Sequence, residues 1–572
     1  MIILKYSVAT SLASLTAAML LAGSANAAAP STLTNVFGGG AALVAEELWQ
    51  AADCYGNETD LYIATGNPLG STTPVVDNPA PFNYTGAAAQ DCSTAHFETS
   101  GKSSLNYLSE NSGNGIKSIY AHDITRLGVT PSAWASPTVQ FSFSETALDA
   151  NDVSIYNAGG SGGHVGLTVV APGVTPGAGQ IANPSQYYGA LVQVPAIIAP
   201  VAIVYDPVYK KVYNSGTVTE YKLNIHTPRA DGSGGLKLNV ATLCQVFNGQ
   251  IVDWNDPALK KLNGGVSFED PSDPTPAKSW SVPLQIVGRS DSAGATNVFS
   301  RHLAAVCGGV TYTGGVTNQY PDAASTLPST LIGATYVKGS GSNPPPSGET
   351  VGKFTVANGA DGVAEYVAFT RTPDTNTTSI TQGRIGYTGV DLALPAVLST
   401  GANTYGLNTA TLQNHNNQWV APTAAGALAA FASQLPPQSD ADGTYDASVT
   451  TNGLRANPQD WVQPNLKSSY IADPVAPRSY PITGTANALV YSCYSTANRF
   501  KVVDGFMIWF YSNNLIAAKN TGLLNSAGSS PLPANWRKAV LQTFFNSALA
   551  SLNLRINQKG QGACTAGSIT GG

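Results

Sequence analysis

Arg289 and Asp291 stand two residues apart in the stretch IVGRSDSAGATNVFSRHLAAVC, residues 286–307, just ahead of a run of small residues. Val298, Phe299, Leu303 and Val306 then recur at helical spacing, which puts the small residues at a helix start. A helix start presents unpaired backbone N–H groups and the positive end of the helix dipole, and both suit an anion. A guanidinium adds a planar fork of donors matched to an oxyanion, and an aspartate two residues on can hold that fork in orientation. The same pair would also serve as a plain surface ion pair capping a helix. Two further stretches, VFGGGAALVAEELWQ (36–50) and NSGNGIKSIYAH (111–122), read as glycine turns running into apolar-periodic helices.

Other chemistries find less support in the residues. Gly159-Gly160-Ser161-Gly162-Gly163 satisfies the G-x-S-x-G pattern of a nucleophile elbow, with His164 beside it. That elbow needs a buried strand before the serine and a helix after it, whereas HVGLTVVAPG reads as a strand heading into a turn. The six histidines are scattered, without the H-E-x-x-H spacing of a zinc hydrolase. DADGTYD (440–446) lacks the third ligand and the distal glutamate of a calcium loop, so an acidic turn is expected there. No catalytic set, metal or cofactor is predicted.

The elements that must position the Arg/Asp pair come from a chain of unusual composition. Charged residues make up 11% of its 572 positions, against roughly 25% in an average soluble domain. Glycine (58) and proline (36) fill much of the difference, so loops and turns should be abundant. Since 43% of the chain is hydrophobic, a packed core is expected rather than global disorder. A net charge of −6 with no Lys/Arg cluster excludes a nucleic-acid face. Residues 1–27 read as a secretory signal, with Lys5, an apolar stretch from Val8 to Leu21, and Ala25-Asn26-Ala27 as the cleavage site. Leu21-Ala22-Gly23-Ser24 resembles a lipoprotein box with serine in place of the lipidated cysteine, so a soluble exported protein without membrane insertion is expected.

Six cysteines in an exported chain favour three disulfides, although fifteen pairings are open. Sequence order suggests Cys54–Cys92, Cys244–Cys307 and Cys493–Cys564. Pro/Gly-rich stretches at 170–185, 229–235, 269–279, 339–348 and 434–446 read as surface insertions or linkers. Between them, PAIIAPVAIVY and ALVYSCY read as buried strands, and NVATLCQVFNG and WRKAVLQTFFNSALASL as helices, an alternation that predicts an α/β fold.

In this order the motifs resemble the PstS and DING phosphate-binding proteins, a branch of the two-lobed periplasmic solute-binding proteins. FGGGAALV and NSGNGIKSI match the family's first two helix starts, FSFSETAL (141–148) its acidic segment, and GRSDSAGATNVFSRHL its arginine motif. LNVATLCQVFNGQIVDWNDPALKKLNGG (238–265) matches a long, specific family stretch. GADGVAEYVAF, GRIGYTGVDLA, YPITGTANALVYS and SPLPANW follow in family order. The resemblance implies two discontinuous α/β lobes joined by crossover strands: 28–200 with 480–572 for the first, and 201–479, carrying insertions, for the second. It implies capture of phosphate or a related oxyanion between the lobes, without catalysis, in the periplasm or outside the cell. An ABC-type membrane permease would be the partner in uptake.

Carried over residue by residue, the resemblance makes Arg289 the phosphate-gripping arginine and Asp291 its support. Ser112 becomes a hydroxyl donor, and Leu43 and Gly294 become backbone donors. Ala42 stands where the family has threonine, and Ala293 and Ala295 stand where it has serine and threonine; Thr296 lies one place on as a replacement donor. Glu145 takes the place of the aspartate that accepts the proton of hydrogen phosphate. Three missing hydroxyls would cost about 4 kcal/mol, near a thousandfold in affinity. The alternative expectation is therefore a secreted relative that has lost tight phosphate binding and serves another ligand, surface attachment or assembly.

Overall fold

A computed structural model describes residues 34–55, 103–128, 138–212, 218–226, 235–273, 282–308, 335–337, 350–352, 354–368, 383–393, 405–467, 470–512, 524 and 527–572. The elements around the Arg/Asp pair run in chain order as follows. The first part holds β1 (Thr34–Gly40), α1 (Ala45–Tyr55), β2 (Ser103–Ser109), α2 (Ser112–Ala121), β3 (Phe141–Ser144) and α3 (Ala150–Ala158). Next come β4 (Leu191–Tyr205), α4 (Val240–Phe247), β5 (Leu284–Arg289), α5 (Gly294–Cys307), β6 (Phe354–Ala357), α6 (Gly359–Val367) and β7 (Gly383–Gly389). The chain then returns with β8 (Thr483–Tyr491) and α7 (Ala497–Tyr511).

One mixed sheet carries all of these strands, in the order β6-β5-β7-β4-β8-β3-β1-β2. Its two ends are parallel, β1 with β2 and β3 on one side and β5 with β6 and β7 on the other. The middle is antiparallel. β4 pairs with β8 from Leu191↔Tyr491 to Pro200↔Thr483, and then with β7 from Val201↔Gly389 to Tyr205↔Ile385. Two lobes therefore share one long strand. All fifteen residues of β4 are buried, which explains its unbroken apolar run, because a strand covered on both faces has no reason to alternate.

The strands PAIIAPVAIVY and ALVYSCY fall within or across β4 and β8, and NVATLCQVFNG forms α4, capped by the Asn239 side chain on Thr242 N–H. The C-terminal helix is shorter than its apolar pattern predicts. Residues 534–540 are α-helical, 541–545 form a π-helical turn, and Asn546 turns extended. Asn546 accepts from the N–H of Ala548, and Phe544 C=O takes Ile556 N–H, so local side-chain and tertiary bonds outbid the helix.

The glycines of the first two motifs lie elsewhere than in turns. Gly38, Gly39 and Gly40 end strand β1, where a Cβ on Gly38 would meet the Phe141 ring at 2.4 Å and one on Gly40 the Phe143 carbonyl at 2.3 Å. Gly113 and Gly115 are inside α2, which begins one residue after its cap Asn111. Close packing demands the small residues at these points, against the Phe141 ring at Gly38, the Ser292 side chain at Gly113 and neighbouring backbone at Gly40 and Gly115, and Gly40 also takes a φ of +128°.

Cys244–Cys307 ties α4 to α5 and Cys493–Cys564 ties the end of the β8 segment to the C-terminal region, as sequence order suggested. Cys54 is disulfide-bonded, whereas Cys92, like residues 1–27, lies outside the described residues. Among the described residues, no helix is long and apolar enough to cross a membrane. Of the Pro/Gly-rich stretches, 339–348 lies outside the described residues and 229–235 and 269–279 lie partly so. The stretch 434–446 is anchored by buried Arg455, which donates to Pro437 O (3.0 Å), Ser439 Oγ (2.6 Å) and Thr543 Oγ1 (3.0 Å). In it DADGTYD is the expected acidic turn, with Asp440 accepting from the N–H groups of Asp442 and Thr444.

Candidate functional site

The two parallel ends of the sheet bring their helix starts face to face. On the first side, β1 runs out at Gly40, and the turn Ala41–Val44 leads into α1. Beside it, α2 starts at Ser112, and β3 delivers Glu145 immediately past its end. The Glu145 carboxylate accepts the Leu43 N–H at 2.9 Å on Oε1 and the Ser112 hydroxyl on Oε2. The Ser112 oxygen in turn accepts the Glu145 N–H at 2.9 Å, so this hydroxyl is held from both directions.

On the second side, Arg289 ends β5 and α5 begins at Gly294, with Ala293 as a cap that offers no side-chain bond. Arg289 is 2% exposed. Its Nε and Nη2 donate to the two oxygens of Asp291 at 2.7 and 2.5 Å, a bidentate fork that fixes the guanidinium plane. Asp291 also accepts the Gly359 N–H at the start of α6 (3.2 Å), so it is anchored away from the fork as well.

The sides are closed on each other. Gly113 N–H donates to Ser292 O across the junction at 3.2 Å, and a Cβ on Gly294 would lie 2.4 Å from both Glu145 Oε2 and Ser112 Oγ. Ala42, Leu43, Asn111, Ser112, Glu145, Arg289, Gly294 and Ala295 line a narrow cavity between them that has no room for a water-sized sphere.

Electrostatically the site is acidic around a single strong fork. Burial raises the Glu145 pKa, opposed by the bonds from Ser112 and Leu43 and by the Arg289 charge. Burial also raises Glu110 and Asp361, both within the field of Arg289. For Arg289, burial pulls its pKa down, but the bond and charge of Asp291, with Tyr387 and Glu145, together hold it above its ordinary value. The arrangement offers an oxyanion one guanidinium and the N–H groups of the α5 start, with the Leu43 and Ser112 donors available only in place of the Glu145 carboxylate.

Most residues singled out from the sequence converge here: Ala42, Leu43, Ser112, Glu145, Arg289, Gly294 and Ala295 form the wall. Asp291 stands behind Arg289. Ala293 caps α5 without lining the cavity, and the Thr296 hydroxyl bonds the Tyr387 phenol at 2.8 Å instead of pointing between the sides. Sequence reasoning missed Asn111, whose side chain caps α2 on Asn114 N–H; an Asn just before a helix start was the available signal. The elbow candidate is elsewhere: Ser161 is exposed with no helix after it, and His164 bonds Asp152 Oδ2 at 2.7 Å, inside the capping box of α3.

A family model described as a PBP superfamily domain matches residues 80–430, more than half of the chain. The chain belongs to the PBP superfamily. It is 27% identical over 368 residues to a protein named phosphate-binding protein from an unknown prokaryotic organism, covering 64% of this chain and 75% of that one. It is 26% identical over 365 residues to alkaline phosphatase L of Pseudomonas aeruginosa (strain UCBPP-PA14), covering 63% and 69%. In fold, this PBP superfamily chain is similar to the crystal structure of the ancestral soluble variant of the human phosphate binding protein. That likeness has a TM-score of 0.51 and 22% identity over 92% of this chain and 97% of the other.

Proposed function

We propose that the protein is an exported, non-catalytic solute-binding protein that captures phosphate or a related oxyanion between its lobes. The observation that carries this reading is the buried Arg289–Asp291 fork facing the starts of α1, α2 and α5 across one small cavity. The phosphate-binding relative adds support. Lobe closure around the anion would replace its hydration shell with oriented N–H groups and one guanidinium, which need no reorganisation once assembled. We take residues 28–200 with 480–572 as the first lobe and 201–479 as the second, a division supported by the exchange of β4's partner at Pro200–Val201. Residues 1–27 serve as the export signal in this reading. An ABC-type permease would receive the solute.

The test is equilibrium dialysis of labelled phosphate against the mature chain, with arsenate and sulfate as competitors and p-nitrophenyl phosphate hydrolysis run in parallel. Micromolar phosphate binding without hydrolysis is the expected result. No binding at millimolar phosphate overturns the reading and favours the second one, a relative that has lost tight phosphate binding. One observation favours that second reading: Glu145 already holds Leu43 N–H and the Ser112 hydroxyl. Turnover of the ester would overturn the non-catalytic part and align the chain with its relative named as a phosphatase.

A further inference from the structure

Glu145 does more than face the cavity. Each of its carboxylate oxygens holds a donor that a tetrahedral oxyanion would need, Leu43 N–H on one and the Ser112 hydroxyl on the other. Its own N–H donates to the Ser112 oxygen, so Glu145 holds this hydroxyl both as a donor to its carboxylate and as an acceptor from its backbone. Gly294, the first residue of α5, lies so close over Oε2 and Ser112 Oγ that even a methyl group would collide with both. The positive end of α5 thus bears on the carboxylate as it would on a bound anion. Two further donors at the start of α2 are also committed, Gly113 N–H to Ser292 O and Asn114 N–H to Asn111. One methylene separates this residue from an aspartate, a difference in reach of about 1.5 Å, enough to move a carboxylate from the rim of such a seat onto its donors.

On the reading of this seat as an oxyanion site, we propose that Glu145 is its built-in occupant: its carboxylate takes the anion's donors, and a solute binds only by displacing it. The displaced carboxylate stays within a buried, acidic setting. Arg289 is the cation acting on it; Glu47 of α1, Asp291, Glu110 just past β2, Asp361 of α6 and the phenols of Tyr107 and Tyr387 are further titratable groups around the seat. An entering anion neutralises Arg289 and leaves Glu145 with a like charge for a neighbour, so the carboxylate takes up a proton as it is displaced. Solute capture is thereby coupled to proton uptake and strengthened at lower pH. The internal competitor lowers the apparent affinity by the fraction of molecules in which it has let go.

Phosphate and sulfate binding to the mature wild type, Glu145→Ala, Glu145→Asp and Arg289→Ala chains, each checked for folding by circular dichroism, separates the possibilities. Shortening or removing the occupant should raise phosphate affinity roughly tenfold or more, and Glu145→Ala should raise sulfate affinity at least as much. Calorimetry of sulfate binding, repeated in buffers of different ionisation enthalpy, should register proton uptake by the wild type and none by Glu145→Ala. If the wild type binds phosphate through Arg289 and both Glu145 variants bind equally or more weakly, Glu145 is an ordinary ligand; the oxyanion reading then stands and the built-in occupant is overturned. If no folded chain in the set binds either anion at millimolar concentration, the oxyanion reading itself fails and takes the occupant with it.

Discussion

The two sides of the seat solve the same problem with opposite economies. The side built by α1, α2 and β3 has a serine hydroxyl, a capped helix start and a backbone turn, and each of the donors named there is already bonded within the protein. The side built by β5 and α5 has a guanidinium fixed by Asp291 and a helix start whose cap is an alanine with no side chain to satisfy it. The first side is self-complementary and the second is left wanting an anion. In an oxyanion site, affinity therefore rests with the arginine side, and the glutamate side sets the threshold an anion must overcome.

Removing the wanting side should have the largest effect. Arg289→Ala is expected to abolish phosphate binding, at a cost of about 2–5 kcal/mol, part of it from stranding Asp291; residual binding within tenfold of wild type by dialysis would break the comparison. Restoring hydroxyls should sharpen it. Ala42→Thr with Ala293→Ser and Ala295→Thr returns side-chain donors around the helix starts, and phosphate affinity should rise by about an order of magnitude or more. Of the three, Ala293→Ser should also stabilise α5 by about 1 kcal/mol as a true cap, read from the urea midpoint. No gain in either measurement would mean that the α5 start is not the unsatisfied surface described.

Gly294→Ala tests the contact between the sides. A Cβ there meets Glu145 Oε2 and Ser112 Oγ at 2.4 Å, so the closed arrangement should be disfavoured by about 1–3 kcal/mol. Small-angle scattering should then report a larger radius of gyration, and an unchanged radius would place the two sides less tightly than described. The smallest effect concerns the acid that lies behind the glutamate side. Burial raises the Glu47 pKa from about 4.5 to about 7, with the Ser529 hydroxyl on one oxygen and the other without a partner. Between those pH values the folded chain holds a proton that the unfolded chain has lost, so stability falls as pH rises through this window and levels off above it. Glu47→Gln should flatten that slope, measured as denaturant midpoints at pH 5 and pH 8, and an unaltered slope would assign it to other buried carboxyls such as Asp206 and Asp504, also raised to about 7 by burial.

Much of the fold was legible because it rests on patterns that are local in the chain. An unbroken apolar run announces a strand buried on both faces, as β4 proved to be, and periodicity of 3.6 announces α4 and α5. Ordered motifs carried the family, and with it the discontinuous lobes. Where neighbours far along the chain decide, the pattern misled. The glycines before α1 belong to a strand pressed against Phe141, and the last amphipathic helix breaks at Asn546, whose side chain takes the Ala548 N–H while Ile556 N–H donates to the Phe544 carbonyl.

The sequence by itself determined which residue types meet: a guanidinium with its aspartate, small residues at three helix starts, one serine and one glutamate. It could not determine which of these satisfy each other, because a hydrogen bond takes whichever partner lies within about 3 Å once the chain has folded. Tertiary structure alone turned Thr296 to Tyr387 and brought Gly294 onto Ser112. It also let the extra methylene of Glu145 reach Leu43, 102 residues away in the chain, and so made a carboxylate the partner of donors that the sequence assigned to a solute.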